Sequence, residues 1–282
     1  MRLKITVLLL LSAILGLVGT AISAPPPDRI VSLSPAMTET LYALGLGKRI
    51  VGVTNVCDRP DEARKKPKIG GMSNPSLEAI VALKPDLVVV SRDGNPKELV
   101  ERLAGLGIKT YVFSSTRLDE LPAAFRKMGK ALGARDSAEQ LAGKIDAEIR
   151  AASEHKAHHG LAEGKRALFV IWPEPLIVAG PGTIIDDAMA MCGFTNIASD
   201  AIAPYPVVSL ETIIGRRPEL IIIGAGGNQM KNIPGTAKLL KRLGMLEAVR
   251  KGRVCYVGDP LYRPGPGIPV GIAELEQCAK MP

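Results

Sequence analysis

Aromatic residues make up only 4% of the 282-residue chain, with one tryptophan, Trp172, and just three histidines, His155, His158 and His159. The scarcity of histidine is the more restrictive. Outside that one short stretch the chain has no imidazole for a buried metal site or a histidine-based catalytic triad. The i, i+3 and i+4 spacing of the three would let two share a helix face and bind zinc, but histidines so placed more often act as favourable cations near a helix C-terminus. No G-x-x-x-x-G-K-[ST] loop, no H-E-x-x-H helix and no G-x-S-x-G elbow occurs. That removes the sequence routes to P-loop, zincin and α/β-hydrolase chemistry. Gly224-Ala225-Gly226-Gly227-Asn228-Gln229 lacks the third glycine of a dinucleotide fingerprint. No dense Lys/Arg run interleaved with aromatics is present, which argues against a nucleic-acid partner.

What is present is ordinary globular composition, 46% hydrophobic and 23% charged. The length allows one large core or two moderate ones. Arg2 and Lys4, the apolar run Ile5 to Val18 and the small residues Gly19 to Ala24 read as a secretory leader over residues 1–24, with cleavage after Ala21 or Ala24. The formal charge of +8 counts 36 basic and 28 acidic side chains. Loss of Arg2 and Lys4 with the leader brings it to +6, a mild excess spread along the chain. No later stretch is long and apolar enough to span a bilayer. The expected protein is exported.

One stretch occurs twice. Ser76-Leu77-Glu78-Ala79-Ile80-Val81-Ala82-Leu83-Lys84-Pro85-Asp86-Leu87 aligns without a gap on Ser209-Leu210-Glu211-Thr212-Ile213-Ile214-Gly215-Arg216-Arg217-Pro218-Glu219-Leu220, and an apolar run follows each. The spacing is far too long for a solenoid unit and predicts two similar lobes. Each copy reads as a serine N-cap, a short helix with a glutamate in its first turn, a proline stop and a strand buried on both faces. Glu78 and Glu211 are then either helix-terminal charges or one acidic knob per lobe for docking a partner.

Strand and helix signals alternate from Arg29 to Phe113 and again from Arg166 onward, the pattern of open α/β sheets. The chain therefore divides into a lobe over 28–118, connecting helices over 119–160 and a second lobe over 165–282. The connector lacks strand signals, and Ala138, Leu141, Ala142, Ile145, Ile149 and Ala152 fall at helical spacing. It predicts a short helix and then one of roughly 20 residues, about 30 Å long. Lys238–Arg250 reads as one helix. Ligands of such sheets sit at the carboxyl ends of strands, which directs attention in the first lobe to loops 34–37, 54–60, 70–75 and 91–95.

Four cysteines in an exported chain allow three full pairings. Cys192, at a helix end, and Cys278, in the last helix of the same lobe, form the natural pair. Cys255 reads as a small core residue in a strand, and Cys57 as a loop residue, packed there or facing the cleft.

Arg29-Ile30-Val31-Ser32-Leu33-Ser34-Pro35-Ala36 with Thr38-Glu39, Val51-Gly52-Val53, Cys57-Asp58-x-Pro60, Gly70-Gly71 and the first repeat copy together resemble the periplasmic cobalamin-, haem- and ferric-siderophore-binding proteins of ABC importers, the cobalamin binders above all. The resemblance covers nearly all of the chain after the leader. It implies two Rossmann-like lobes joined by a single long helix, the class III binding-protein fold. It implies a non-enzymatic monomer in the periplasm that passes a corrinoid, cobalamin in the first place, to a permease dimer in the inner membrane. The corrinoid is cargo, and no cofactor is implied. The ligand would lie near Pro35, Ala36, Cys57, Asp58, Met72, Trp172, Tyr205 and Asp259, with Tyr205 packing on the corrin. Glu78 and Glu211 become docking carboxylates, and Cys192–Cys278 the second-lobe disulfide. Val56 and Met72 are aliphatic where the cobalamin binders would have aromatics. Haem, or a siderophore complex held by Arg92, Arg263 and Tyr262, is the alternative cargo. The rivals from other classes are an exported tetrapyrrole chelatase using Asp58, Asp259 or Cys57 as base, and an interaction module without a small ligand.

Overall fold

The computed structural model describes residues 25–92, 94–159, 164–225 and 235–282. The expected leader lies outside these residues, as do Gly226 to Gln229 and the side chains of the three histidines. The first lobe runs β1 (Ile30–Ser32), α1 (Pro35–Ala43), β2 (Ile50–Val53), α2 (Asp61–Arg64), α3 (Leu77–Ala82), β3 (Leu87–Ser91), α4 (Lys97–Gly105) and β4 (Lys109–Phe113). Two helices follow, α5 (Leu121–Leu132) and α6 (Arg135–His159). The second lobe contains β5 (Arg166–Pro173), β6 (Leu176–Val178), α7 (Ile184–Met191), β7 (Thr195–Asn196), α8 (Leu210–Arg216), β8 (Leu220–Ala225), α9 (Thr236–Arg242), α10 (Glu247–Arg250), β9 (Val254–Gly258) and α11 (Ile268–Ala279).

The first sheet is parallel in the order β2-β1-β3-β4. The second has the order β6-β5-β8-β9, with β6 antiparallel and the short β7 parallel to the start of β5. Alternation along the strands decides which layer each side chain joins. Val88 and Val90 pack with α3 and α4, whereas Val89 faces the other way. Leu168, Val170, Ile221 and Ile223 pack with α8, α9 and α10, whereas Phe169, Leu220 and Ile222 face the other way. Both sets that face the other way belong to one core with Phe125, Ala142 and Ile145 of α5 and α6 and Leu275 of α11. This continuous core is what joins the lobes. Phe113 of β4 stacks on Phe125 of α5 with ring centroids 5.7 Å apart, and full burial of each ring contributes about 1.5–3 kcal/mol.

The repeated stretch folds as two equivalent units. Ser76 accepts the N–H of Ala79 and Ser209 that of Thr212, each through its side chain, and such caps contribute about 1 kcal/mol each. Lys84 and Arg217, just before the prolines, both adopt a left-handed backbone with φ of 46°. That conformation costs a non-glycine residue about 1–2 kcal/mol. A carboxylate two residues on secures each turn. The Asp86 carboxylate accepts the N–H groups of Asp28 and Arg29 at 2.9 and 2.8 Å, and that of Glu219 accepts the N–H of Arg166 at 3.0 Å. Each latch fixes the entry of the strand that lies next to the repeat's own strand.

Two expectations are corrected. The helix expected over Lys238–Arg250 is two, α9 and α10, because the chain turns at Gly244 and buries both Leu243 and Leu246. The disulfide joins Cys255 to Cys278, not Cys192 to Cys278. Helix α11 packs along β9 and brings the two Cα atoms to 5.7 Å, within the range a bridge requires. Cys192 is buried at the end of α7. The expectation placed Cys255 in the core; it is half-buried on the outer strand of the sheet, facing α11.

Replacing either Cys255 or Cys278 with serine should lower stability by about 3 kcal/mol, the scale for a loop of this length. Non-reducing peptide mapping should recover a Cys255–Cys278 linked peptide. A Cys192–Cys278 peptide would contradict the pairing.

Candidate functional site

A cavity of about 320 Å³ lies between the lobes. From the first lobe it is lined by Met72, Ser91, Gly94, Ser115 and Thr116. From the second it is lined by Ile171, Ile184, Ile185, Tyr205, Tyr262 and Pro264. Ser91 ends β3, Ser115 follows β4 and Tyr262 follows β9, so the cavity sits at the carboxyl ends of both sheets, where α/β sheets bind ligands. The walls are mainly apolar, with hydroxyls as the polar points.

Local structure fixes each wall. Asn95, which the sequence analysis passed over, ties the first-lobe loops together. Its side chain accepts the Ser91 N–H at 2.8 Å and donates to the carbonyls of Leu33 and Met72, both at 2.9 Å. Met72 lies over Gly94 so closely that a Cβ there would meet its methyl at 1.7 Å. In the second lobe Gly180 lets the Tyr205 loop close down: its N–H donates to the Pro204 carbonyl at 2.8 Å, and a Cβ would meet the Ala203 carbonyl oxygen at 2.6 Å. Thr183 caps α7 by accepting the Asp186 N–H at 3.0 Å, which sets Ile184 and Ile185 in the wall. The Tyr262 ring packs over Gly224 at the end of β8. Its burial pushes the phenol pKa well above the ordinary tyrosine value.

Of the eight expected ligand residues, Met72 and Tyr205 line this cavity among the described residues. Trp172 is half-exposed next to Ile171, and its indole N–H donates to the Glu174 carbonyl at 2.9 Å. Pro35 and Ala36 are buried at the start of α1, where the Gly265 loop of the other lobe lies against Ala36. Cys57 is buried as well, with Thr38 and Thr54 hydroxyls 3.2 and 3.0 Å from its sulfur. Loops 70–75 and 91–95 therefore reach the cavity, while the Pro35 and Cys57 ends of loops 34–37 and 54–60 are covered.

Asp58 and Asp259 belong to an ion-pair cluster that crosses between the lobes. Arg59 of the first lobe donates to Asp259 of the second at 2.8 Å and lies 3.3 Å from Glu39. Arg263 of the second lobe pairs with Asp259, and reaches Glu39 at 3.4 Å and Asp58 at 3.7 Å in the first. A second crossing lies at the other edge of the cavity. There Arg117, just beyond Thr116, grips Asp187 of α7 at 2.6 and 2.8 Å, and Asp187 also accepts the Leu118 N–H at 3.0 Å. Arg59, Arg117 and Asp187 gave no sequence signal, and Glu39 only as part of a motif, because nothing in their spacing shows that they meet. Among the described residues no three His, Cys, Asp or Glu side chains gather as a metal site; the carboxylates of the cluster face guanidinium groups instead.

Glu78 and Glu211 are exposed, each in the first turn of a short helix on its own lobe. Both carboxyls are held below the ordinary glutamate value, first by their own backbone N–H and then by the capping serine. Each lobe therefore presents a fixed negative charge.

Two α/β lobes, a shared core through a connecting helix and a cleft at the strand ends define a class III periplasmic binding protein. The periplasmic binding protein family matches residues 30–261, and the chain belongs to it. Among similar proteins, the vitamin B12-binding protein of Pectobacterium atrosepticum is 33% identical over 210 residues, 73% of this chain and 75% of that one. The solved periplasmic vitamin B12 binding protein BtuF of Vibrio cholerae is 25% identical, with a TM-score of 0.78 over 90% of this chain and 97% of its own. A periplasmic haem-binding protein from Roseiflexus sp. RS-1 is 28% identical, with a TM-score of 0.79 over 90% and 98%.

The cluster makes stability depend on pH. Burial holds the Glu39 carboxyl above its ordinary value of 4.5, against the pull of Arg59 and Arg263. The folded state then binds that proton more tightly than the unfolded state. Its contribution is full below the unfolded value and is lost as pH rises through the folded one. Glu39→Gln should therefore lessen the fall in urea midpoint as pH rises through this window; an unchanged slope would refute the assignment. Arg59→Ala removes a charged hydrogen bond to buried Asp259 and should cost about 2 kcal/mol.

Proposed function

We propose that the protein is the substrate-binding component of an ABC importer, and that it carries a corrinoid, cobalamin in the first place, between its lobes. The observation that carries this reading is the interlobe cavity, apolar on both walls with hydroxyls at its edge. A flat macrocycle calls for such walls, with a few polar groups to orient it. At about 320 Å³ the cavity is at the small end of ligand pockets, so the macrocycle enters by one edge and its periphery stays at the rim. Met72 and Tyr205 contact the ring and Trp172 covers the rim. Pro35, Ala36, Cys57, Asp58 and Asp259 back the walls. The similarity to vitamin B12-binding proteins supports the same reading.

Haem is the second reading, favoured by the presence of two tyrosines, Tyr205 and Tyr262, on the cavity wall. The likeness to vitamin B12-binding proteins favours the corrinoid as the first reading. A chelatase-like reaction finds little support. Asp259 is held between two arginines, Cys57 lies between two threonines and Asp58 is 3.7 Å from Arg263, and none of the three lines the cavity.

In this reading the leader over 1–24 directs the chain to the periplasm, where it acts as a monomer. Glu78 and Glu211 dock on basic residues of the permease dimer, since paired charges fix register and speed encounter.

Incubation of the exported protein with cobalamin, a precursor corrinoid, haemin or a ferric siderophore, followed by desalting, tests the cargo directly. Retained corrinoid bands at about one per protein are expected, and Tyr205→Ala and Trp172→Ala should each weaken retention. A retained Soret band instead would transfer the assignment to haem. The Glu78→Arg, Glu211→Arg double variant should retain cargo as before and yet fail to support uptake. Unimpaired uptake by that variant would remove the docking role.

A further inference from the structure

The cargo cavity uses the carboxyl ends of the strands. The opposite end of the second sheet carries a groove of its own, about 550 Å³, whose lining includes Arg166, Arg217, Arg250 and Arg253. Two carboxylates share it, and both are engaged. Glu219 accepts the backbone and side-chain N–H groups of Arg166, and Glu247 pairs with Lys251. Among the described residues no carboxylate lies within the 4 Å ion-pair distance of Arg217, Arg250 or Arg253. Three guanidinium groups thus line one concavity without a direct ion-pair partner among the described residues, with Glu247 acting on Arg250 and Arg253 from farther off, beside the apolar side chains of Ile214 and Met245.

The internal repeat supplies a second, independent observation. Arg29 and Arg166 are equivalent, since each opens the strand latched by its repeat's carboxylate. In the first lobe Arg29 turns inward, and its guanidinium donates to the carbonyls of Leu83 and Lys84 at the end of α3 at 2.6 and 3.0 Å. In the second lobe Arg166 pairs with Glu219 and does not cap α8 among the described contacts. Arg253 immediately precedes β9 where Lys109 opens β4, and Arg250 comes from the α10 turn just before it. The two lobes share a frame: where the first has the ammonium groups of Lys84 and Lys109, the second has the guanidinium groups of Arg217 and Arg253, with Arg250 beside them.

We propose that this groove is a binding site for a multiply charged phosphate-type anion, separate from the cargo cavity. Guanidinium groups match phosphate oxygens in geometry and charge and are less strongly hydrated than ammonium groups. Three of them at one concavity select a dianion or higher over chloride. Two sources share this chemistry: a free polyphosphate or phosphorylated metabolite, and the phosphate headgroup of an anionic lipid. The apolar side chains beside the arginines suit either.

The test titrates the full exported chain with pyrophosphate at low ionic strength, by calorimetry and by amide chemical shifts. Saturable binding is expected, with shifts at residues 245–253 and none at Ser115 or Ile184. The Arg250→Ala, Arg253→Gln double variant should bind at least tenfold more weakly, with an unchanged melting temperature and unchanged cobalamin retention. Should that variant melt early, the single Arg250→Ala replacement, at an exposed position, serves instead. A vesicle arm compares phosphatidylglycerol with phosphatidylcholine. Pyrophosphate binding together with co-sedimentation on the anionic vesicles identifies a headgroup source. Pyrophosphate binding without co-sedimentation identifies a free anion. No saturable pyrophosphate binding to the wild type, or equal binding by the folded variant, overturns the proposal.

Discussion

The lobes are held in place by one core, and the site depends on it. Phe113 and Val89 on one side and Phe169 and Ile222 on the other bury into the same layer of helices, α5, α6 and α11. Spreading the lobes would pull these side chains apart, at roughly 25 cal/mol for each Å² of apolar surface exposed. The ion pairs that cross at both edges of the cavity add to this resistance, but each is worth only about 1–3 kcal/mol where it is partly buried. The shared core therefore sets the lobe geometry, and the charged crossings fix its final register. A cleft held on this scale adapts to cargo through side chains and loops more readily than through a wide hinge swing.

The repeat shows why so much of the fold was legible from the residues. Serine, glutamate, proline and an acidic residue recur at fixed spacing because each has a backbone task. They cap a helix, sit in its first turn, stop it, and latch the neighbouring strand. Tasks done by backbone groups at short range leave a local record. The buried strands were equally plain, because a run such as Leu220 to Ile223 has two apolar faces and fits only a strand covered on both sides. The left-handed residues Lys84 and Arg217 left no such record. Neither is glycine or asparagine, and the tertiary frame imposes the conformation on them.

The site was less legible, and one reason runs through it. Sequence places a residue near a strand end but not the direction of its side chain. Cys57 and Ala36 lie in the loops that the topology pointed to, yet Thr38 and Thr54 enclose the one and the Gly265 loop covers the other. Asn95 shapes the first-lobe wall through three hydrogen bonds to separate segments, and no local pattern marks such a role. The disulfide failed on the same ground. Cys192 and Cys278 share a lobe, but pairing needs two Cβ atoms that face each other, and the packing of α11 along β9 gives Cys278 to Cys255.

Charge is distributed over this molecule by function of place. At the cavity edges, carboxylates and guanidiniums neutralise one another, so the walls offered to cargo remain mainly apolar. At Glu78 and Glu211 single negative charges stand exposed and are kept ionised by the helix N-terminus and a serine. At the far end of the second sheet positive charge remains in excess. Neutralised charge gives geometry, because paired groups are tied to each other. Unpaired exposed charge gives attraction, because it has no partner closer than the one that arrives. On that argument the ion clusters beside the cavity hold the lobes in register, and the two glutamates and the arginine groove are where an incoming charged partner would be attracted, away from the cavity itself.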